Sequence, residues 1–438
     1  MSSTDAASDA ATAPPIARWR DRWIVGVLMY WIWTAGSDRT PMAIALMGLC
    51  ATAAFTLVSR APYLSWSPEI RARWRGWLRR PDYYLPAGLV VAYLTSGLYA
   101  GDYDFLRGRI QVAAQGLGIP AAFYLLDATV HRYRERLWLW IAVCAAAIAA
   151  GAAAYVLLNF DAMMSAWAQG RAVPLARTHV RTGMLLAVAG VAMCYQAAYA
   201  TLGLLRLPRA HRVAAYVLAA ILVVSIHVLA IRTALGMFYV GAAVLLARLV
   251  ATRLTWRQSG AALALAIGGL AVGAYASPSI VRKVSLMAWD LSKLGDGDDD
   301  AAVYSDGGRI LSQAAGWRIV RADPLLGAAP EGLPARLSTE YAALGYPGVT
   351  LRPHSQWLYT WSAAGLVGLV AVVLALAAPA FRQNWLRRPL VAEMLAMVVA
   401  LTPVDACLES DMGIGIALMA IYLAKAGDGD GGDAGQTR

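Results

Sequence analysis

The sequence predicts an all-α polytopic membrane protein, and three observations support this fold class. Of the 438 residues, 59% are apolar, whereas soluble domains contain roughly 45–50%. The apolar residues form blocks of about 20, and about 20 helical residues at 1.5 Å rise cross a hydrocarbon layer of roughly 30 Å. The alternating segments of about ten residues that are typical of an outer-membrane barrel are missing.

We predict about twelve transmembrane helices, with ends accurate to a few residues. The predicted spans are 23–37, 40–59, 84–100, 109–128, 137–158, 181–204, 213–231, 233–251, 260–277, 356–381, 389–404 and 410–426. The apolar stretch 213–251 is divided into two spans, because a single helix of this length would reach about 58 Å. The chain must therefore turn back near Arg232, the one charge in the middle of this stretch.

The formal charge of +11 predicts a membrane topology rather than a nucleic-acid partner, because the arginines lie between the spans. A cytoplasmic N-terminus places "RWRDRW", "RARWRGWLRR" and "HRYRERLW" on one side, as the positive-inside rule requires. Both termini are then cytoplasmic. The predicted organisation is a disordered cytoplasmic N-terminus (1–22), spans one to nine (23–277), a large outer loop (278–355), spans ten to twelve (356–426) and a cytoplasmic tail (427–438).

The large outer loop is the one sizeable hydrophilic piece of the chain. Its segment "SDGGRILSQAAGWRIVRADPLLG" begins with the cap-type residues Ser305 and Asp306 and reaches Pro324, which predicts a helix over about 309–322. The preceding "VRKVSLMAWDLSKL" is typical of an amphipathic helix lying on a membrane surface.

Several arginines lie on the outer side, against the charge bias, and topology does not explain them. They are Arg177, Arg181, Arg232, Arg309, Arg318, Arg321 and Arg352. Any one of them can extend toward lipid headgroups, but a charge in the tight turn at Arg232 is costly unless it faces a polar cavity. Since guanidinium binds phosphate in a planar, two-pronged way, several arginines converging on one cavity suit a pyrophosphate.

Two histidines, His179 and His354, lie on the same side as these arginines. If the helix after His354 is regular, Gly365 falls within roughly 20° of the same face and Gly368 within about 40°. These small residues would let a neighbouring helix approach below the histidine. A single interfacial histidine is more often structural than catalytic, so the catalytic hypothesis depends on its position beside the arginines and the loop.

Two acidic segments offer alternatives. "GDGDDD" at 295–300 has the start of a metal-binding or calcium loop, but Ala301 stands where the calcium loop needs glycine, so a solvated linker is favoured and no metal is predicted. "VDACLESD" places Asp405, Glu409 and Asp411 in an outer turn. These carboxylates are the second candidate, after His354, for a general base.

The sequence resembles the bacterial O-antigen ligases, whose membrane fold is shared by O-antigen polymerases and protein O-oligosaccharyltransferases. The ligase pattern of histidine, a small polar residue, nine residues, glycine, two residues and glycine matches His354, Ser355, Gly365 and Gly368. "GGRILSQAAGWRIVRADPLLGAAP" is similar to the loop signature of the family, and "AIRTALG" to its arginine after a span. "HSQWL" departs from the commoner His-Asn form.

The resemblance implies a GT-C-like glycosyltransferase of the bacterial inner membrane with its active site facing the periplasm. Such an enzyme transfers O-antigen polysaccharide from undecaprenyl pyrophosphate to a sugar hydroxyl of lipid A-core, with inversion and with no metal or cofactor. It also implies roles: His354 as the base, Arg232 and Arg181 on the pyrophosphate, and Arg309 and Arg352 as further donor ligands. The alternatives are a polymerase or protein O-oligosaccharyltransferase, and then a lipid-linked glycan transporter, which should carry charges through the depth of its spans.

Overall fold

A computed structural model describes most of the chain. The described residues are 15–34, 39–57, 64–99, 101–168, 179–229, 231–258, 260, 261, 264, 268, 278–295, 305–381 and 388–426. Most of the predicted span 260–277, the tail 427–438, the first 14 residues and the acidic residues 296–300 lie outside this set.

Helices make up nearly all of the described structure. The first half contains α1 (Pro15–Thr34), α2 (Arg39–Ala54), α3 (Pro68–Trp77), α4 (Pro81–Tyr84), α5 (Gly88–Ser96), α6 (Tyr103–Ala113), α7 (Gln115–Leu125), α8 (Asp127–Leu158) and α9 (Phe160–Ala168). The second half contains α10 (His179–Thr201), α11 (Arg209–Leu229), α12 (Arg232–Thr252), α13 (Pro278–Gly295), α14 (Ser305–Ala322), α15 (Leu333–Ala343), α16 (Gln356–Ala377), α17 (Pro389–Leu401) and α18 (Asp411–Lys425). One antiparallel pair of three-residue strands, β1 (Phe55–Leu57) and β2 (Leu64–Trp66), follows α2.

Five of these helices are long and apolar enough to cross a membrane, which confirms the predicted class of an α-helical membrane protein. They are Asp127–Leu158, Val180–Thr201, Arg209–Leu229, Arg232–Thr252 and Gln356–Ala380. Helix α10 is central: it packs against α8, α11, α12, α17 and α18, and nearly all its side chains over 182–193 are buried. The predicted division of 213–251 into two helices is confirmed, since α11 ends at Leu229 and α12 begins at Arg232.

Three predicted spans are divided or shortened in the structure. The stretch 109–128 divides at Ala114 into α6 and α7, and the stretch 84–100 contains only the nine-residue α5 behind a 3-10 turn. The helix of 40–59 ends at Ala54, where β1 begins. Helix α6 is separate because it is amphipathic and has its own N-terminal cap, the Asp102 carboxylate, which accepts hydrogen bonds from the backbone N–H groups of Asp104 (2.9 Å) and Phe105 (3.0 Å).

The large loop is a folded unit with its own hydrophobic cluster. Helices α13 and α14 confirm the two helices predicted there, and α15 is a third. The cluster joins Leu311 and Ile319 of α14 to Leu337 of α15 and also includes Tyr359 and Ala363 of α16, which is how the loop is fastened to the apolar helices.

Helix α16 is broken at Gly365. The expectation that His354, Gly365 and Gly368 share one face of a regular helix is therefore wrong. Ala364 (φ −120°, ψ 19°) and Gly365 (φ 60°, ψ −157°) leave the helical conformation. A Cβ atom on Gly365 would lie 2.0 Å from the carbonyl oxygen of Leu325. The backbone therefore requires glycine at this position, and His354 and Gly368 do not share a face of one straight helix.

A turn of the large loop, residues 324–327, fills the break in α16. The N–H group of Leu366 donates to the carbonyl oxygen of Leu325 (3.1 Å), and the N–H group of Ala328 donates to that of Ser362 (2.8 Å). The turn thus pairs backbone groups that the broken helix would leave unsatisfied in an apolar environment.

Candidate active site

An open cavity of about 730 Å³, the chamber, lies beside His354. Its walls come from α6, the start of α10, the segment before α16 and the turn between α17 and α18. The lining residues are Asp104, Phe105, Gly108, Arg109, Gln111, Val112, Arg181, Thr350, Leu351, Arg352, Pro353, His354, Tyr359, Asp405, Ala406, Glu409, Ser410 and Asp411. This volume falls in the range of roughly 300–1,000 Å³ that is usual for ligand sites.

Helix α14 holds the backbone around His354 in place. The N–H group of His354 donates to Ser312 Oγ (3.2 Å), and Gln313 Nε2 donates to the carbonyl oxygen of His354 (3.4 Å). One turn further along α14, a Cβ atom on Gly316 would lie 2.9 Å from Pro353 Cγ, so glycine allows α14 to pack directly on the histidine segment. The loop sequence and the histidine sequence therefore form one packed unit.

The pKa of His354 is lowered from its ordinary value of 6.5. Burial is the largest cause, and the positive charges of Arg309 and Arg181 act in the same direction, while the Asp405 carboxylate opposes them in part. The imidazole is consequently neutral at pH 7 and able to accept a proton.

Two arginines, Arg232 and Arg309, form what we call the arginine pair. Arg232 opens α12 and makes an ion pair with Asp306 of α14, whose N–H group donates to the Asp290 carboxylate (3.1 Å). The pKa of Arg309 is lowered, first by burial and then by the charge of Arg232. Arg309 thus adds a second guanidinium beside the ion pair of Arg232 with Asp306, and guanidinium groups can bind phosphate with two parallel hydrogen bonds.

Of the five residues predicted for the site, three line the chamber and two do not. His354, Arg181 and Arg352 are in its walls, whereas the arginine pair is outside them. Arg181 NH1 donates to Asp405 Oδ1 (2.6 Å) and its Nε to Ser410 Oγ (2.8 Å); Arg352 is exposed. The charge of Arg309 nevertheless helps to lower the pKa of His354. This electrostatic effect links the arginine pair to the chamber wall.

Two other outer arginines make contacts within the large loop. Arg318 makes an ion pair with Glu340 (2.8 Å), and the Arg321 guanidinium lies 5.7 Å from the centre of the Trp317 ring. Arg177 lies outside the described residues, and the structure describes only the backbone of His179.

The sequence interpretation missed Arg109, which it placed at the start of a span and not among the outer arginines. Arg109 of α6 makes an ion pair with Glu409 (3.6 Å) inside the chamber. Glu409 also accepts hydrogen bonds from Tyr93 Oη (2.6 Å) and Gln356 Nε2 (2.8 Å). The available signal was the polar spacing of α6 with its cap, which is untypical of the start of a span.

The three carboxylates considered as alternative bases are already engaged by donors. Asp405 and Glu409 accept the hydrogen bonds given above, and Asp411 Oδ1 accepts one from Gln115 Nε2 (3.1 Å). His354 therefore stays the first candidate for the base. Within the described residues no group of three or more His, Cys, Asp or Glu side chains is placed to hold a metal ion, and Asp296, Asp298 and Asp300 fall outside that part of the chain.

The chain matches no model of a known protein family, and no curated protein matches it. The site itself then has to indicate the function. It combines a histidine of lowered pKa, a nearby arginine pair and an open polar chamber that has the histidine in its wall.

Proposed function

We propose that the protein is a glycosyltransferase of the O-antigen ligase type. It transfers O-antigen polysaccharide from undecaprenyl pyrophosphate to a sugar hydroxyl of lipid A-core, at the periplasmic face of the bacterial inner membrane. The observation that carries this proposal is a largely neutral His354 in the wall of a chamber open to an acceptor. Helix α14, which binds the His354 backbone, also carries Arg309, a cation suited to a pyrophosphate.

His354 acts as the general base. A sugar hydroxyl is a poor nucleophile at neutral pH, and a neutral imidazole within reach takes its proton as the oxygen attacks the anomeric carbon. A bond forms between that oxygen and the anomeric carbon, and the bond from the carbon to the pyrophosphate oxygen breaks. The electron pair leaves with the pyrophosphate, the proton stays on His354, and direct displacement inverts the anomeric centre.

Arginines stabilise the charge that builds up on the leaving pyrophosphate. Arg232 and Arg309 are fixed by α12 and α14 before the donor binds, so little reorganisation is needed when the bond breaks. Each guanidinium can bind a phosphate with two parallel hydrogen bonds. Arg181 and Arg352 add positive charge from the chamber wall, next to the anomeric centre.

Both proposed substrates are lipids, and exposed apolar side chains lie at the break of α16, the helix that follows His354. Leu325 and Leu326, in the turn that fills the α16 break, are 64% and 53% exposed, and Leu366 beside them is 43% exposed. Exposed apolar side chains of this kind suit contact with acyl or polyprenyl chains. We propose that both lipids reach the site sideways from the bilayer.

The test is a transfer assay with purified protein in lipid, without added metal or nucleotide. The substrates are a lipid-pyrophosphate glycan and lipid A-core, and the readout is product mass. We expect glycan on lipid A-core with the wild type and with His131→Ala, which changes an exposed histidine elsewhere, and a loss of at least a hundredfold with His354→Ala. Donor converted only to longer lipid-linked chains would instead indicate a polymerase, and no covalent change would favour transport.

A further inference from the structure

We infer that the chamber is the acceptor subsite, that it holds the polyhydroxylated sugar end of the acceptor, and that α6 determines which sugars it accepts. This inference rests on the proposed function and assigns to the acceptor a different place from the donor pyrophosphate.

The chamber has no excess of positive charge. Its described lining contains three arginines and four carboxylates, and two of the arginines are paired with two of the carboxylates: Arg181 with Asp405 (2.6 Å) and Arg109 with Glu409 (3.6 Å). A pyrophosphate would meet one more negative than positive side chain there. A neutral sugar, whose hydroxyl groups both donate and accept hydrogen bonds, finds partners of both kinds.

Helix α6 presents a polar face to this space. Asp104, Gly108 and Gln111 recur four and three residues apart, on one side of the helix. Asp104 and Gln111 are exposed and supply a carboxylate acceptor and an amide that is both donor and acceptor. Phe105 adds a half-buried apolar ring beside them, with the Arg109 guanidinium 5.1 Å from its centre. The C–H face of a sugar ring can pack against the part of this ring that stays exposed.

Gly108 of α6 borders open space in the chamber. A Cβ atom added there would meet no atom within 4 Å, so the chamber is empty directly above it. The glycine is not needed for helix packing, and in the interior of a helix it costs roughly 0.5–1 kcal/mol relative to alanine. The room it leaves is available to a ligand.

His354 lies in the wall of the chamber, while the arginine pair lies outside. Direct displacement requires the attacking hydroxyl and the leaving pyrophosphate to occupy different places around the anomeric carbon. An acceptor in the chamber and a pyrophosphate at the arginine pair meet this requirement, and the acceptor hydroxyl then reaches the imidazole from the chamber side.

The decisive test replaces Gly108 by residues of increasing size, whose side chains would fill the chamber. In Gly108→Ala, Gly108→Leu and Gly108→Trp the added side chain projects into open space, so folding is preserved. We expect the KM for lipid A-core to rise stepwise with side-chain size, at least tenfold for Gly108→Trp, while the KM for the lipid-pyrophosphate donor stays within twofold. Gly151→Leu, at an exposed glycine of α8 that also has no atom within 4 Å of an added Cβ, is the control and should change neither.

Binding of a soluble core oligosaccharide, without lipid, separates this inference from the proposed function. Binding by the wild type and its loss in Gly108→Trp would support the subsite even if no transfer occurred, in which case only the ligase proposal would fail. Transfer by the wild type with an unchanged acceptor KM in Gly108→Trp would overturn the subsite. So would a rise in the donor KM alone.

A second pair of variants tests the role of α6 in selectivity. Gln111→Ala should raise the acceptor KM three- to tenfold, with kcat nearly unchanged at saturating acceptor. Arg107→Ala, on the same helix but outside the chamber lining and exposed, should leave both values unchanged. Equal effects of the two variants would indicate a general disturbance of α6 and would contradict the inference.

Discussion

Two clusters of paired charges in this protein have similar composition, but only one borders open space. The first, which we call the closed cluster, joins Asp82 to Arg80 and Lys425. The second is the set of ion pairs in the chamber, Arg181 with Asp405 and Arg109 with Glu409. Charge pairing alone therefore does not mark an active site.

The closed cluster satisfies its charges internally. Lys425 Nζ lies 2.5 Å from Asp82 Oδ2, and Arg80 donates to both oxygens of the same carboxylate at 3.0 and 2.9 Å. Lys425 Nζ also lies 4.5 Å from the centre of the Tyr83 ring. Burial alone would raise the pKa of Asp82, but the hydrogen bonds and charges of the two cations hold it below its ordinary value.

The surroundings explain the difference between the clusters. Around the closed cluster the rings of Tyr83, Tyr124 and Tyr422 pack against one another with centroids 5.1 and 5.3 Å apart, and they occupy the space next to the charges. In the chamber that space is bordered by Gly108 and polar side chains and is empty. Unfilled volume beside fixed charges therefore distinguishes a candidate site from a structural cluster.

The largest effect is expected from breaking the closed cluster. Asp82→Asn leaves two cations without their carboxylate, in a place where the Asp82 and Lys425 side chains are 1% and 3% exposed. We expect a loss of about 3–5 kcal/mol in the free energy of unfolding, measured by denaturant or thermal unfolding in detergent. Asp161→Asn, at an exposed carboxylate, should change it by less than about 0.5 kcal/mol. A small loss for Asp82→Asn would remove the distinction between the two clusters.

The next largest effect is expected at Gly365, where α16 is broken. Gly365→Ala places a Cβ atom 2.0 Å from the Leu325 carbonyl oxygen at a φ of 60°. We expect at least about 1–3 kcal/mol of destabilisation, measured by the same unfolding experiment. Transfer should also be reduced, because the turn 324–327 can no longer pack against the break in α16. Gly151→Ala should instead stabilise by up to about 1 kcal/mol. Wild-type stability in Gly365→Ala would contradict the required glycine.

Long elements of the fold could be predicted from the sequence because their signals are local. Hydropathy identified the five long apolar helices, and the excess length of 213–251 located the turn at Arg232. Cap residues and a proline predicted α14, although it begins at Ser305, four residues before the predicted start. These features depend on neighbouring residues, which the sequence displays directly.

Features that depend on distant contacts could not be predicted. The pair of Asp82 and Lys425 joins residues 343 positions apart, and Arg80 was hidden among arginines that the positive-inside rule already explained. The pattern that led to His354 also contains Gly365, but its reason is the carbonyl oxygen of Leu325 rather than a helix face. Within the site, His354, Arg181 and Arg109 all line the chamber, but Arg109 was not recognised from the sequence.

A smaller effect on stability but a clear effect on transfer is expected at Asp405. The Arg181 and Asp405 side chains are 14% and 10% exposed and border the open chamber, so Asp405→Asn leaves Arg181 within reach of water and should cost about 1 kcal/mol or less. Transfer should fall about tenfold, or about 1.4 kcal/mol in the barrier, because Arg181 loses its anchor and the pKa of His354 falls further without the Asp405 charge. A stability loss as large as that of Asp82→Asn would contradict the comparison.

The smallest effect concerns the electrostatic influence of the arginine pair on His354 in the chamber wall. The positive charge of Arg309 is one cause of the lowered pKa of His354, because a nearby cation disfavours the imidazolium. A base must be neutral to act, so transfer is lost as pH falls through this pKa, and in Arg309→Gln the acid limb of kcat/KM should move to higher pH. Burial, the largest cause, is retained in this variant, so the limb should still lie below the ordinary histidine value of 6.5.

The control for this shift is Arg321→Gln, which removes a charge from the same helix α14 where the guanidinium lies over Trp317. Its acid limb should coincide with that of the wild type. A limb that moved to lower pH in Arg309→Gln, or moved equally in both variants, would mean that His354 does not titrate in the field of the arginine pair. The chamber wall and the arginine pair would then be two separate sites, and the proposed transfer between them would lose its physical basis.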